Sequence, residues 1–264
     1  MSLFLALFKG ASIIIEEIVS KNNTVYKDAK SLLQKKYRMK EKRFLAEGER
    51  LARDAYNAKT AEIIFLAPWA KHNDYEGMRM IKLPENLFLG LSDTENPQGV
   101  IAVCQMPPEP KLSGDFFVIC DRISDPGNLG TILRTAEAAG VDGVLLSASC
   151  SDVYSPKVVR SSMGSIFRIP LYNWDSIHTL KQDGTQVVSL DLCGATSIYD
   201  VEKIILKNKI ALMFGNEAHG ISEESKKLCD FTIKLPMCGN VESLNVASCA
   251  AIVLYEIYRN RMTK

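Results

Sequence analysis

From Phe116 onward the chain alternates short apolar strands with helices, and this alternation limits the fold more than any other feature. Phe116-Phe117-Val118-Ile119-Cys120 is followed by a helix from about Leu129 to Ala139, stopped by Gly140, and then by Gly143-Val144-Leu145-Leu146. Further strand candidates lie at Gln186 to Leu190, Ile210 to Phe214 and Phe231 to Leu235, with helical segments between them. Strands separated by helices form a mostly parallel sheet, so this half reads as an α/β domain. A closing helix, Leu244 to Arg259, puts Leu244, Ala247, Ala251, Leu254, Tyr255 and Tyr258 on one face. Val246, Ile252, Val253 and Ile257 extend its apolar surface beyond that stripe. A surface that wide wants a second partner besides the sheet.

Ahead of this domain, Met106 to Gly114 carries Pro107, Pro108 and Pro110, which fix φ and remove amide donors. We place a linker at 106–114, between a smaller α/β module at 18–105 and the larger domain at 115–264. In the module, Ala61 to Ala67 and Gly99 to Val103 read as strands. Twelve basic and five acidic residues between Val19 and Thr60 give that stretch a charge of +7, while the whole chain of 264 residues carries +1. The remainder therefore carries −6, and the module is the half suited to an anionic partner. Lys35, Lys36, Arg38 and Arg43 are the candidate RNA contacts. A helical run from Lys27 to Lys42, with Ala29, Leu32 and Leu33 facing inward, explains the same charges as a solvated face, and charge alone leaves both readings open.

Met1 to Val19 is apolar, but no Lys or Arg precedes the run, Lys9 interrupts it, and Glu16 and Glu17 end it. It reads as a short packed helix or a frayed tail rather than a targeting signal or a membrane span. The seven cysteines are scattered, with no C-x-x-C pair, as in a protein of the reducing cytoplasm. His72, His178 and His219 have no metal-ligand spacing, so no metal is expected.

Three strand ends carry residues that strand and helix propensity do not call for, and in open α/β sheets ligands bind at the carboxyl ends of strands. The first is Asp121 to Ala136, where Pro126-Gly127 leads into Asn128, read as a helix N-cap, with Arg134 six positions on. Arg134 is equally compatible with a plain surface arginine. The second is Phe214 to Ser222, in which Gly215 and Gly220 bracket Asn216 and Glu217. The third is Leu235 to Ala247, where capping accounts for Ser243 but not for Asn245, a poor interior helix former. No P-loop, G-x-G-x-x-G fingerprint or G-x-S-x-G elbow is present. The residues alone point to ligand binding by strand-end loops and leave the reaction open.

At these same residues the chain resembles the SpoU-type RNA 2′-O-ribose methyltransferases of the SPOUT superfamily. Asn128, Gly130, Arg134, Thr135 and Ala136 match the first family motif, Gly215 to Gly220 the second and Pro236 to Ala247 the third. Ser155 to Gly164 resembles the family's helix after the second strand. Phe44 to Gly48 and Leu91 to Gly99 resemble an L30e-like substrate-binding domain. The resemblance covers roughly residues 18–262 and implies a trefoil-knotted parallel sheet, S-adenosylmethionine as methyl donor and a homodimer. It implies donor contacts at Phe214, Gly215, Asn216, Leu235, Met237 and Leu244. It implies a catalytic set of Arg134, Asn128, Glu217, Ser243 and Asn245, with Arg134 clamping a phosphate and the others orienting it and the ribose. The implied substrate is structured RNA, with 23S ribosomal RNA favoured over transfer RNA. A non-catalytic RNA-binding protein is the competing reading.

Overall fold

The computed structural model describes residues 3–8, 11–71, 75–192, 194, 196–200, 209–239 and 243–262, with 3–8 and 11–14 as backbone. His72, Cys193 and the third-motif residues Asn240, Val241 and Glu242 lie outside the described residues. The chain divides into two compact units: Met1–Pro107 with Tyr154–Phe167, and Pro108–Val153 with Arg168–Lys264.

In the first unit the chain order is β1 (Leu3–Phe8), β2 (Ala11–Glu17), α1 (Thr24–Ser31), α2 (Lys35–Glu41), β3 (Arg43–Glu47), α3 (Glu49–Asn57), β4 (Ala61–Leu66), β5 (Arg79–Lys82), α4 (Glu85–Leu89) and β6 (Val100–Gln105). The strands form one mixed sheet in the order β1-β2-β5-β4-β6-β3. Leu32, Leu45, Phe65, Ile81, Phe88 and Ile101 are among the residues of its core.

Two local expectations are corrected here. Residues 3–8 and 11–17 are two antiparallel strands, registered from Leu3 opposite Glu16 to Phe8 opposite Ala11, with β2 running parallel to β5. The run Ile13-Ile14-Ile15 is β-branched, which favours a strand over a packed helix. The run from Lys27 to Lys42 is two helices, not one. Asn23 caps the first, its Oδ1 accepting from the amides of Val25 (2.9 Å) and Tyr26 (3.3 Å). Lys42, at φ +52°, ends the second.

Arg38, expected at an RNA surface, is only 3% exposed, and its Nη1 donates to the carbonyl of Leu32 at 2.7 Å, where α1 has ended. A buried guanidinium thus satisfies a carbonyl left over by the helix break. Arg43 pairs with Asp28 at 2.8 Å and Glu62 at 3.6 Å. Lys35 and Lys36 stay exposed.

The second unit contains β7 (Phe116–Cys120), α5 (Pro126–Ala138) and β8 (Gly143–Leu146). Next comes α6 (Pro156–Ser161), in the stretch that belongs to the first unit. There the Phe44 ring lies 4.8 Å from that of Tyr154 and 5.9 Å from that of Phe167. The second unit continues with β9 (Leu171–Asn173), α7 (Ser176–Gln182), β10 (Gln186–Leu190), β11 (Thr196–Ser197), β12 (Ile210–Phe214), α8 (Glu223–Lys226), β13 (Phe231–Lys234) and α9 (Val246–Met262). Its sheet has the order β11-β13-β10-β12-β7-β8-β9. Every described pairing in it is parallel, so all carboxyl ends share one edge. Phe117, Ile119, Leu145, Val187, Ala211 and Met213 form part of the core on this sheet.

Arg38→Ala should behave as a folding mutation. A hydrogen bond to a charged group contributes about 1.5–3 kcal/mol, so the melting temperature should fall while the salt dependence of RNA binding keeps its slope. An unchanged melting temperature with a flattened salt slope would return Arg38 to the surface.

Candidate active site

β7 and β12 are neighbouring parallel strands, and their carboxyl ends release the two loops that build the site. The loop after β12 runs from Gly215 to Ser222, and Asn216 and Gly220 bond each other across it through both amides, at 2.9 and 2.8 Å. Gly215 has no room for a side chain, since a Cβ there would lie 2.3 Å from the carbonyl carbon of Gly220. Gly220 takes φ +64°, a conformation glycine adopts without strain. Asn216 folds back on its own loop, its Oδ1 accepting from the amides of Ala218 (3.0 Å) and His219 (3.1 Å).

Residues just past β7 hold this loop at both ends. The Asp121 amide donates to the Phe214 carbonyl at 2.8 Å, and the buried Asp121 carboxylate accepts from the Ser222 amide at 2.8 Å. The Arg122 carbonyl accepts from Asn216 Nδ2 at 2.9 Å, and its Nη2 donates to the Gly220 carbonyl at 3.4 Å. Arg122 sits at φ +58°, a left-handed conformation a long side chain keeps only where its surroundings hold it.

Glu217 is the hub. It accepts from the Ser124 hydroxyl at 3.0 Å and the Ser124 amide at 3.3 Å, from the Asp125 amide at 3.2 Å, and from Asn128 Nδ2 at 2.9 Å. Asn128 Oδ1 in turn accepts from Asn245 Nδ2 at 2.9 Å. Asn245 Oδ1 accepts from the amides of Ala247 (2.9 Å) and Ser248 (3.2 Å) at the start of α9. Each carboxamide donates on one side and accepts on the other, a combination neither a carboxylate nor an aliphatic side chain supplies.

Two sequence expectations change. The cap of α5 is Asp125, whose Oδ1 accepts from the Asn128 amide at 2.8 Å with Pro126 in the first turn, so Asn128 lies inside the helix with its side chain free for Glu217. The closing helix starts at Val246, two residues later than expected, and Asn245 caps it. Capping therefore does account for Asn245, and its second hydrogen bond goes to the site.

One cavity of about 460 Å³ opens beside this relay, within the second unit. Phe214, Gly215, Asn216, Leu235, Met237 and Leu244 all line it, together with Glu217, Ser243 and Asn245. Leu190, Asp191 and Leu192 at the end of β10, and Cys249 on α9, line it too and were not singled out from the sequence. For Leu190, Asp191 and Leu192 the signal was the end of a strand, while Cys249 is one of seven scattered cysteines and gave none. Arg134 stands apart. It is exposed on α5, six residues beyond Asn128, or about 9 Å along the helix and roughly 120° around it.

Burial opposes ionisation of Glu217, but the Asn128 amide and the backbone amides of Asp125 and Ser124 outweigh it and hold the carboxyl below the usual glutamate range. A depressed folded value makes the carboxylate's stabilisation complete above the unfolded value and lost as pH falls through the folded one. Glu217→Gln should thus melt below the wild type at neutral pH, and the two curves should converge on acidification. A constant offset at every pH would mean that the charge of Glu217 carries no part of the effect.

Comparison with known proteins shows the family. Residues 115–255 match the SpoU rRNA Methylase family, and residues 22–102 match an MRM3-like substrate binding domain. The chain is 35% identical over 249 residues to the 23S rRNA (guanosine(2553)-2′-O)-methyltransferase RlmP of Bacillus subtilis (strain 168), covering 92% of this chain and 99% of that protein. It is similar to the AdoMet-bound rRNA methyltransferase of Sinorhizobium meliloti, with a TM-score of 0.80, 31% identity and coverage of 93% and 98% of the two chains. The SpoU methyltransferase AviRb of Streptomyces viridochromogenes, in complex with AdoMet, has a TM-score of 0.80 at 28% identity, with coverage of 92% and 99%. With Asn128 of the first motif on the Glu217 relay and described residues of the second and third motifs on the cavity wall, this chain belongs to the SpoU rRNA methylase family.

Proposed function

We propose that this protein transfers a methyl group from S-adenosylmethionine to a ribose 2′-hydroxyl of 23S ribosomal RNA. The observation that carries the reading is the shared wall: the loops after β12 and β13 and the start of α9 face one cavity whose hub carboxylate is held ionised. Its size lies in the range of small-molecule sites. Leu190, Phe214, Leu235, Leu244 and Val246 offer an apolar surface for a nucleobase, and Asp191 and Glu217 offer carboxylates to a cationic ligand. The donor supplies an electrophilic methyl carbon on a positively charged sulfur. Glu217 supplies a fixed counter-charge to that cation, and the bonds from Ser124, Asp125 and Asn128 keep it from reorienting.

A guanidinium is always protonated, so Arg134 is no proton acceptor. It binds the phosphate next to the target ribose, and a non-bridging oxygen of that phosphate takes the hydroxyl proton. Asn128, Ser243 and Asn245 orient the ribose. The first unit grips the RNA, with Lys35 and Lys36 among its exposed cations. Similarity over nearly the whole length of a 23S rRNA enzyme supports ribosomal over transfer RNA, and a purely RNA-binding protein has no use for the relay.

The active form is a homodimer. Leu244 is 40% exposed just ahead of α9, and on α9 Ile252, Tyr255 and Met262 are 39%, 49% and 66% exposed. The three helical residues, spaced at 252, 255 and 262, share one face and suit a two-fold interface in which the same patch serves both chains. Arg134, turned away from Asn128 on its own helix, then serves the partner's cavity. The free cysteines and the absence of any helix long and apolar enough to cross a membrane, among the described residues, support a place in the cytoplasm.

Arg134→Ala should cut turnover by about 10²–10³-fold with donor affinity unchanged, as loss of a transition-state group does. Mixing it with Gly215→Ala, whose added Cβ collides with the Gly220 backbone, should restore part of the activity through heterodimers. Wild-type turnover by Arg134→Ala in a radiolabelled methyl-transfer assay, or a fully active monomer, would contradict the proposal.

A further inference from the structure

In the first unit the loop from Ser92 to Gly99 is pinned along its length. The Glu47 carboxylate, at the end of β3 and 8% exposed, accepts from the Ser92 hydroxyl, the Asp93 amide at 2.9 Å and the Thr94 hydroxyl at 2.6 Å. Arg160 of α6 closes this cluster, 3.8 Å from Glu47 and 2.8 Å from Asp93. Further on, Gln98 Oε1 accepts from the Glu49 amide at 2.9 Å, and the Pro97 carbonyl accepts from Trp69 Nε1 at 3.2 Å. Gly99, at φ +89°, lets the backbone pass under the indole, where a Cβ would lie 3.0 Å from Trp69 Nε1.

Trp69 is the exception among these ordered parts. Its ring meets the buried Phe88 edge-on at 5.7 Å, and yet 43% of its surface faces solvent. The indole is rigidly held and half open. On its loop partner, Asn96 is exposed and makes no hydrogen bond among the described residues, and Gln98 has spent its oxygen but keeps its Nε2 hydrogens. An apolar docking surface for a protein would be a contiguous patch. Here the ring is tied to the Ser92–Gly99 loop at Pro97, whose chain neighbours Asn96 and Gln98 are polar and exposed.

We propose that Trp69, Asn96 and Gln98 form a recognition site for one unpaired RNA base, which stacks on the indole while the two carboxamides read its edge. This rests on the proposed RNA substrate and goes beyond it by naming an element of specificity. Three observations favour a base. The site lies within the match to a substrate-binding domain and in the unit carrying the +7 segment, which attracts the phosphate backbone of an RNA strand. A fixed aromatic face with adjacent amide groups is how single-stranded RNA is read, by stacking and base-edge hydrogen bonds. Glu95, exposed and next to Asn96 in the chain, disfavours a phosphate there and is indifferent to a neutral base.

The test uses the full-length enzyme with an unmodified 23S ribosomal RNA transcript. Trp69→Ala should raise KM for the RNA by roughly 5- to 150-fold, the range of one lost stacking contact. It should leave kcat and donor affinity as they are, and keep the salt slope of RNA binding, because stacking releases no counterions. Trp69→Phe should recover most of the affinity. In a Trp174→Phe background, where Trp69 is the sole tryptophan, binding of the transcript should quench indole fluorescence. An unchanged KM in Trp69→Ala overturns the base site while leaving the methyltransferase reading intact. So does a loss that Phe fails to rescue and that follows a drop in melting temperature. A wild-type enzyme that neither binds nor methylates the transcript overturns the substrate reading itself.

Discussion

The second unit depends on one ionised carboxylate. Glu217 gathers donors from Ser124, Asp125 and Asn128, all carried by the loop and helix start after β7, while it belongs to the loop after β12. Two loops from adjacent strands are thereby fixed to each other, and Asn245 extends the same chain of bonds to the start of α9. A carboxylate with several amide donors is stabilised in its charged form, here on a residue that remains exposed. Site geometry and charge therefore have one origin.

The first unit uses the same device for a different end. Glu47 ends β3 and gathers the Ser92, Asp93 and Thr94 donors of a loop far away in sequence, with Arg160 as its counter-ion. In each unit an acidic residue at or just beyond a strand end orders a loop whose own composition would leave it free. That order fixes the Pro97 carbonyl to which the exposed Trp69 indole donates, and a preorganised group lowers the entropy cost of binding.

The alternation of strands and helices was legible because core strands announce themselves by continuous apolar runs, and the sheet proved parallel throughout its described pairings. The three strand-end loops were legible because their glycines, amides and carboxylates have no role in a strand or helix interior. Other features were not. The N-terminal strand pair needs β5 as a neighbour, and pairing partners do not show in local pattern. Arg38 lies in a run of cations, and no charge count tells which of them turns inward to the Leu32 carbonyl. Asp125-Pro126 carries the helix-start signal, yet Asn128 drew the cap assignment because both residue types favour that position. The bonds among Asn128, Asn245 and Glu217 join residues 89 and 117 positions apart, and only tertiary structure brings them together.

Asn245, Asn128 and Glu217 act as one element, joined by the bonds from Asn245 to Asn128 and from Asn128 to Glu217. A double-mutant cycle tests it most directly, with Asn128→Ala, Asn245→Ala and the pair compared by calorimetric titration with S-adenosylmethionine and by methyl-transfer rate. If the relay acts as a unit, the double variant will be about as impaired as the worse single one, a departure from additivity in the range of about 0.5–3 kcal/mol. Losses that simply add would mean that Asn128 and Asn245 serve the site independently, and would contradict a relay through their mutual hydrogen bond.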